Sequence, residues 1–172
     1  KLLLVLIIVI GTVLRFYNYG EIPFTHDEFS ALSRLNFDNF NDLIEKGVKI
    51  DAHPAGVHVF MYYWTTFFGS AEWVVKLPFT VIGTLSIFLI YLIGKNWFNE
   101  TVGLISASFI TSIQFTVIYS QIARPYISGL FFSLLMVYYW TLIIKNPDKK
   151  FKQNIVLYVL SSAMCAYNHH FS

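Results

Sequence analysis

Asp27 and Glu28 are the side chains in this sequence best suited to acid–base chemistry. They follow the segment Pro23-Phe24-Thr25-His26 and precede a stretch of helical character over residues 29–37. A carboxylate can accept the proton of an attacking hydroxyl or amine, and a second carboxylate can orient that acceptor or hold a cation. The alternative interpretation is structural, because an Asp at the start of a helix is a common N-cap.

Arg124 is a candidate phosphate ligand, in the segment Tyr119-Ser-Gln-Ile-Ala-Arg-Pro-Tyr126 between two apolar runs. A guanidinium group is planar, permanently charged and able to make paired hydrogen bonds to phosphate oxygens. Gln121 lies three residues earlier and could share a helical face with it. Tyr126 closes the segment, and we assign all three residues to substrate binding. In the alternative interpretation, Arg124 only extends towards the lipid headgroups.

Three histidines complete the candidate substrate-binding set. His53 ends a carboxylate-rich segment, whereas His169 and His170 follow the end of an apolar run. Adjacent histidines point in different directions on a helix, so only one of the pair could readily bind a given metal ion. The sequence leaves the cofactor open. If a divalent metal ion is used, its candidate ligands are Asp27, Glu28 and His169.

The composition is typical of an integral membrane protein. Of the 172 residues, 56% are hydrophobic and 13% are charged, and the mean hydropathy is +0.57, whereas soluble domains contain roughly 25% charged residues. The net charge of +2 gives no reason to expect nucleic-acid binding. Seven of the ten carboxylates lie between residues 15 and 53, which indicates water-side chemistry in that segment.

The apolar runs predict an all-α, polytopic membrane fold. A membrane helix needs about 20 mostly apolar residues, and we predict spans over residues 2–14, 77–94, 102–119, 126–144 and 154–171. The sequence begins with Lys rather than Met and stops within the last run. We therefore expect residues 1–172 to be the N-terminal transmembrane module of a larger protein.

The lysines predict the orientation of these spans. Lys145, Lys149, Lys150 and Lys152 form the one basic cluster of the sequence, which favours the cytoplasmic side. Each span crosses the membrane once, so counting back from this cytoplasmic cluster places Arg124 outside. The side on which Asp27 lies then depends on whether the aromatic segment 54–69 crosses the membrane. We predict an interfacial helix, since Trp and Tyr favour the membrane–water interface, and residues 15–53 become an external catalytic loop.

The order of these segments resembles the N-terminal part of the GT-C-fold glycosyltransferases. Within that fold, residues 12–172 are similar to the dolichyl-phosphate-mannose-protein mannosyltransferase-like group, which includes glycosyltransferase family 39 and the lipid A aminoarabinose transferases. The family usually reads His-Pro-Pro where this sequence has His53-Pro54-Ala55, and Glu at the position of Ile122. The residues that carry the resemblance are Asp27-Glu28, His53-Pro54, Glu72-Trp-Val-Val-Lys-Leu-Pro78, Tyr119-Ser-Gln-Ile-Ala-Arg-Pro-Tyr126 and Tyr167-Asn-His-His-Phe171.

The resemblance implies an inverting glycosyltransferase with a polyprenyl-phosphate-linked sugar donor and a protein, lipid or glycan acceptor. It assigns the catalytic role to Asp27, with Glu28 beside it, and implies a bacterial plasma membrane with the active site on the external face. From the residues alone, two other functions remain open. One is a transporter or channel subunit whose acidic loop gathers cations, although the predicted spans lack interior carboxylates. The other is a non-catalytic partner in envelope assembly.

Overall fold

The computed structural model describes residues 1–50, 54–145 and 150–168, and within these ranges the chain forms helices and no strand. The predicted all-α fold is therefore confirmed. The helices are α1 (Leu2–Phe16), α2 (His26–Ser33), α3 (Phe40–Asp42, continued by a π-helical turn over Leu43–Val48), α4 (Ala55–Phe68), α5 (Glu72–Trp97), α6 (Glu100–Ser112), α7 (Gln114–Ser120), α8 (Pro125–Lys145) and α9 (Phe151–Asn168).

Helices α5 and α8 form the centre of the bundle and run in the same direction. Near their N-termini, Phe79 and Ile127 belong to one buried core. Near their C-termini, the Trp97 indole N–H donates to Thr141 Oγ1 at 2.7 Å. The α6–α7 pair runs in the opposite direction and connects the C-terminus of α5 to the N-terminus of α8. We call the end of the bundle where α5 and α8 begin the site end, and the end that carries Lys95 and Lys145 the lysine end.

Small residues allow α5 and α6 to approach closely at the lysine end. A Cβ atom placed on Gly94 would lie 3.0 Å from the Gly103 Cα atom, so the two backbones almost touch. Small residues are common where membrane helices pack by van der Waals contact. Asn99 starts α6 immediately before this contact, because its side-chain oxygen accepts the Val102 N–H at 3.0 Å.

The membrane helices differ in part from those predicted. Among the described residues, α5 and α8 are long and apolar enough to span a bilayer, and α6 with α7 reaches that length only as a pair bent by 61°. The span predicted over residues 102–119 consists of two helices that meet at Ile113, and it counts as a span only if the bent pair is taken together. Helix α1 is a shorter apolar helix of 15 residues. It includes Arg15, so the connection predicted over 15–53 begins two residues later, after Phe16.

Helix α4 packs against the first part of α5. Its 14 residues measure about 21 Å, and its neighbours on α5 lie between Val74 and Ile82. Pro78 lacks an N–H group, so the Val74 carbonyl loses its partner within α5. The Trp64 indole N–H donates to that carbonyl at 2.8 Å, which ties α4 to α5 where the proline interrupts the hydrogen-bond ladder.

Candidate active site

The start of α2 is fixed by Thr25 and Glu28, which form a capping box. The Glu28 N–H donates to Thr25 Oγ1 at 3.3 Å, and the Thr25 N–H donates to Glu28 Oε2 at 2.8 Å. These bonds satisfy N–H groups that a helix start leaves open. The interpretation of Asp27 as the N-cap is wrong, because Thr25 holds that position. Helix α2 also begins earlier than the predicted stretch 29–37.

Glu28 also joins α2 to the connection between α7 and α8. Its Oε1 atom accepts the Ala123 N–H at 2.7 Å, and the residue is fully buried. Lys76 on α5 attracts this carboxylate electrostatically, while its ammonium group donates to the Ile22 carbonyl at 2.6 Å. Both oxygens of Glu28 are thus engaged inside the protein. Of the two adjacent carboxylates, Asp27 is the one open to a substrate.

Asp27 lies on the solvent side of the first turn of α2. Its side chain is 63% exposed, and its Oδ1 atom lies 4.0 Å from His26 Nδ1. Residues four apart share a face of a helix, so Asp27 is one turn before Ala31. Ala31 and Arg124 both line one small cavity. Asp27 is therefore placed about one helical turn, roughly 5 Å, from the rim of that cavity.

Gln121 holds the connection between α7 and α8 against the end of α1. Its side-chain amide donates to the carbonyls of Arg15, at 3.0 Å, and Tyr17, at 2.9 Å. The predicted helical face shared by Gln121 and Arg124 is wrong, because α7 ends at Ser120 and α8 begins at Pro125. The amide N–H groups of Gln121 instead satisfy carbonyls that the end of α1 leaves open.

Arg124 is enclosed by α2 and α4. Only 7% of the residue is exposed, and the interpretation of Arg124 as a surface anchor that extends to the headgroups is therefore wrong. Tyr126, on the first turn of α8, packs edge-to-face against Tyr119 with ring centroids 4.6 Å apart. The small cavity around Arg124 is lined by Ala31, Leu32, Leu35, Val57, His58, Met61, Ala123 and Pro125.

The ends of three helices meet beside Arg124. The Asn168 side chain, at the end of α9, donates to the Pro125 carbonyl at 2.8 Å. At the start of α4, a Cβ atom on Gly56 would collide with the Tyr167 carbonyl oxygen, so only glycine allows α4 to approach α9 this closely. His53, His169 and His170 lie outside the described residues, and their substrate-binding role stays a prediction.

An apolar cavity of about 170 Å³ opens between α4, α5, α8 and α9 at the site end. It shares Val57 with the small cavity that contains Arg124. The small cavity beside the buried Arg124 and the apolar cavity therefore share a wall residue. The lining of the apolar cavity consists of Gly56, Val57, Phe60, Pro78, Phe79, Ile82, Ser128, Phe132, Met164, Tyr167 and Asn168.

A metal site is not assembled by the part of the chain that the structure describes. There, no three His, Cys, Asp or Glu side chains are placed to hold an ion. The oxygens of Glu28 already accept hydrogen bonds from Thr25 and Ala123. A site formed by Asp27, Glu28 and His169 stays a prediction, since His169 lies outside the described residues.

Two buried cations, Arg15 and Lys76, were missed as parts of this region. Both are fully buried. Arg15 contacts the α6–α7 break, and Lys76 contacts the segment before α2. The sequence did contain a signal, because an ionisable residue inside an apolar helix of a membrane protein is rare and usually faces a partner in the bundle interior.

A family model for dolichyl-phosphate-mannose-protein mannosyltransferases matches residues 52–168. No curated protein and no solved structure matches the chain. The family match covers Arg124 and the whole lining of the apolar cavity, whereas Ala31, Leu32 and Leu35 of the small cavity lie before the matched residues. It confirms the resemblance to GT-C-fold enzymes. It gives no support to a transporter, a channel subunit or a non-catalytic assembly partner. The chain is therefore an integral membrane protein that belongs to the dolichyl-phosphate-mannose-protein mannosyltransferase family and is a GT-C-type glycosyltransferase.

Proposed function

We propose that this chain carries the donor site and catalytic base of an inverting glycosyltransferase that uses a polyprenyl-phosphate-linked sugar. The observation that carries this proposal is the pairing of buried Arg124 with the apolar cavity beyond Val57. A lipid phosphate has an anionic head and an apolar tail, so it needs these two surroundings side by side. Arg124 would bind the phosphate, and the apolar cavity would take the first part of the tail.

Asp27 would supply the base for the transfer. Its carboxylate accepts the proton of the acceptor hydroxyl or amine while the acceptor atom bonds to the anomeric carbon of the sugar. The bond from that carbon to the phosphate oxygen breaks, and its electron pair leaves with the polyprenyl phosphate. Arg124 stabilises the negative charge that develops on that oxygen. A single displacement of this kind inverts the anomeric centre.

Replacement of Arg124 by Lys tests the phosphate contact. Lys keeps the positive charge but loses the planar pair of N–H donors, so we expect affinity for farnesyl phosphate to fall about tenfold or more in the full-length protein. The control is Arg34→Lys, the same chemical change at the end of α2, for which we expect unchanged affinity. Binding can be measured by calorimetry in detergent micelles. Equal affinity in Arg124→Lys and the unsubstituted protein would contradict the phosphate contact.

The proposed external position of the site follows from the two ends of the bundle. Lys95 and Lys145 lie at the lysine end, where the Lys145 ammonium group lies 4.8 Å from the centre of the Trp97 ring. Basic residues favour the cytoplasmic side of a membrane, so the site end would face outward. The short α4 beside the first part of α5 supports the proposal that α4 lies at the interface and does not cross.

Cysteine labelling on intact cells tests this orientation. On a Cys165→Ala background, we expect a membrane-impermeant thiol reagent to label Asn41→Cys and to leave Gln153→Cys unmodified until the cells are opened. Both positions are exposed in the structure, so accessibility within the protein does not limit either reaction. Labelling of Gln153→Cys alone on intact cells would place the site on the cytoplasmic side.

A further inference from the structure

Arg15 is fully buried near the end of α1, and all five of its side-chain N–H groups are directed at protein acceptors. Its Nε–H donates to Ser120 Oγ at 3.2 Å. Its Nη2 group donates to the Ile110 carbonyl at 2.7 Å and to Thr116 Oγ1 at 3.3 Å. Its Nη1 group donates to the carbonyls of Gly11, at 3.1 Å, and Thr111, at 3.5 Å.

Four of these five acceptors lie between Ile110 and Ser120, around the break between α6 and α7. The segment from Ile110 to Thr116 contains neither Pro nor Gly, which are common causes of a sharp bend. In a continuous helix, the carbonyls of Ile110 and Thr111 would accept from the N–H groups four residues later. Here Arg15 donates to both carbonyls, and Thr116 Oγ1 also donates to Ile110 at 2.6 Å. Side chains thus replace the backbone partners that the 61° bend removes.

The same network reaches the connection that carries Arg124. Ser120, which ends α7, accepts at its Oγ atom from Arg15 and at its carbonyl from Thr80 Oγ1 at 3.0 Å. The next residue, Gln121, donates to the Arg15 carbonyl. We propose that Arg15 is a positioning residue for the donor phosphate, because it stabilises the bend and so sets where α7 delivers Arg124. This inference rests on the proposed contact between Arg124 and the phosphate.

Loss of the Arg15 donors favours a straighter α6–α7 helix. Its backbone would then satisfy the carbonyls of Ile110 and Thr111, and the end of α7 would move. The variant Arg15→Lys retains the charge but has only one nitrogen, which cannot reach all of these acceptors. Substitutions away from a binding site usually change coupling within limits that correspond to roughly 3- to 30-fold in affinity. We expect a loss in this range for farnesyl phosphate.

The test is a double-mutant cycle in the full-length protein with farnesyl phosphate as the probe. If Arg15 acts through Arg124, the double variant Arg15→Lys/Arg124→Lys should bind farnesyl phosphate no more than about twofold more weakly than Arg124→Lys alone. If the two residues act independently, their losses of binding free energy would add. The control is Thr141→Val, which removes a buried hydrogen bond to Trp97 at the lysine end. It should lower the unfolding temperature without changing the affinity. If Arg15→Lys does not fold, Ser120→Ala removes one acceptor of Arg15 and should weaken binding in the same direction.

The outcomes separate this inference from the proposed function. Unchanged affinity in Arg124→Lys would overturn the phosphate contact and the positioning role together. A loss in Arg124→Lys with unchanged affinity in Arg15→Lys would overturn the positioning role alone. Additive losses in the double variant would mean that Arg15 stabilises the fold and does not act through Arg124. If only Ser120→Ala can be measured, unchanged affinity in that variant would also overturn the positioning role.

Discussion

Replacement of Asp27 by Asn is expected to lower the rate of sugar transfer by about 10²-fold or more, the usual contribution of a general base. Asn keeps the size of the side chain but cannot take the proton of the acceptor. The side chain of Asp27 is largely exposed and lies 4.0 Å from the His26 imidazole, so the substitution should leave folding intact. The measurement is the transfer rate at saturating donor in the full-length protein, with the unfolding temperature as a check.

The control for this experiment is Asp38→Asn. Asp38 is an exposed carboxylate in the same connection between α1 and α4, and its substitution makes the same change in charge. We expect Asp38→Asn to retain most of the activity. Nearly full transfer by Asp27→Asn would show that the carboxylate open to substrate is not the base, and the proposed mechanism would then lose its proton acceptor.

Replacement of Glu28 by Ala should instead damage the fold. We expect the free energy of unfolding to fall by about 3–6 kcal/mol, because two backbone N–H groups lose a charged acceptor and each such hydrogen bond contributes about 1.5–3 kcal/mol. The N–H groups of Thr25 and Ala123 would lose their acceptor, and the charge of Lys76 would lose its nearby carboxylate. The measurement is a denaturant titration in detergent micelles.

Two further variants make the stability experiment specific. Glu28→Gln keeps one acceptor oxygen and should lose less stability than Glu28→Ala. Asp27→Ala, at the preceding position of the same helix, should change stability by less than about 1 kcal/mol, as is usual for an exposed position. Equal stabilities for Glu28→Ala and Asp27→Ala would be incompatible with the capping box and the Ala123 contact described above.

The sequence was sufficient to predict the long helices but not the bend between α6 and α7. An apolar run predicts the length of a helix because burial of the backbone in lipid requires internal hydrogen bonds. The bend at Ile113 has no local signal, since it depends on Arg15, which is 95 residues from Ile110 in sequence. A reading of one segment at a time cannot anticipate contacts over that distance.

The contact between the segments that carry the candidate residues was predicted, whereas the roles of those residues stay predictions. Asp27, Glu28 and Arg124 were singled out from residue type and order, and the structure brings the α2 start and the Arg124 connection together through Ala123. The sequence did not predict that Glu28 is buried in a capping box while Asp27 stays exposed, although Thr25 and Glu28 have the spacing of such a box. The alternative interpretation placed the N-cap at Asp27, whereas the Thr25–Glu28 spacing favours Thr25 at that position.

The distance in sequence between Arg15 and its partners has a consequence for membrane insertion. The acceptors at Ile110 and Ser120 follow Arg15 by 95 and 105 residues. At a synthesis rate of about 5–20 residues per second, they emerge from the ribosome roughly 5–20 seconds after Arg15. Throughout that interval α1 carries an uncompensated charge, which its long side chain can keep at the headgroups because Arg15 is near the helix end. Docking of α1 into the bundle is therefore a late step of biogenesis, completed only after α7 has been made.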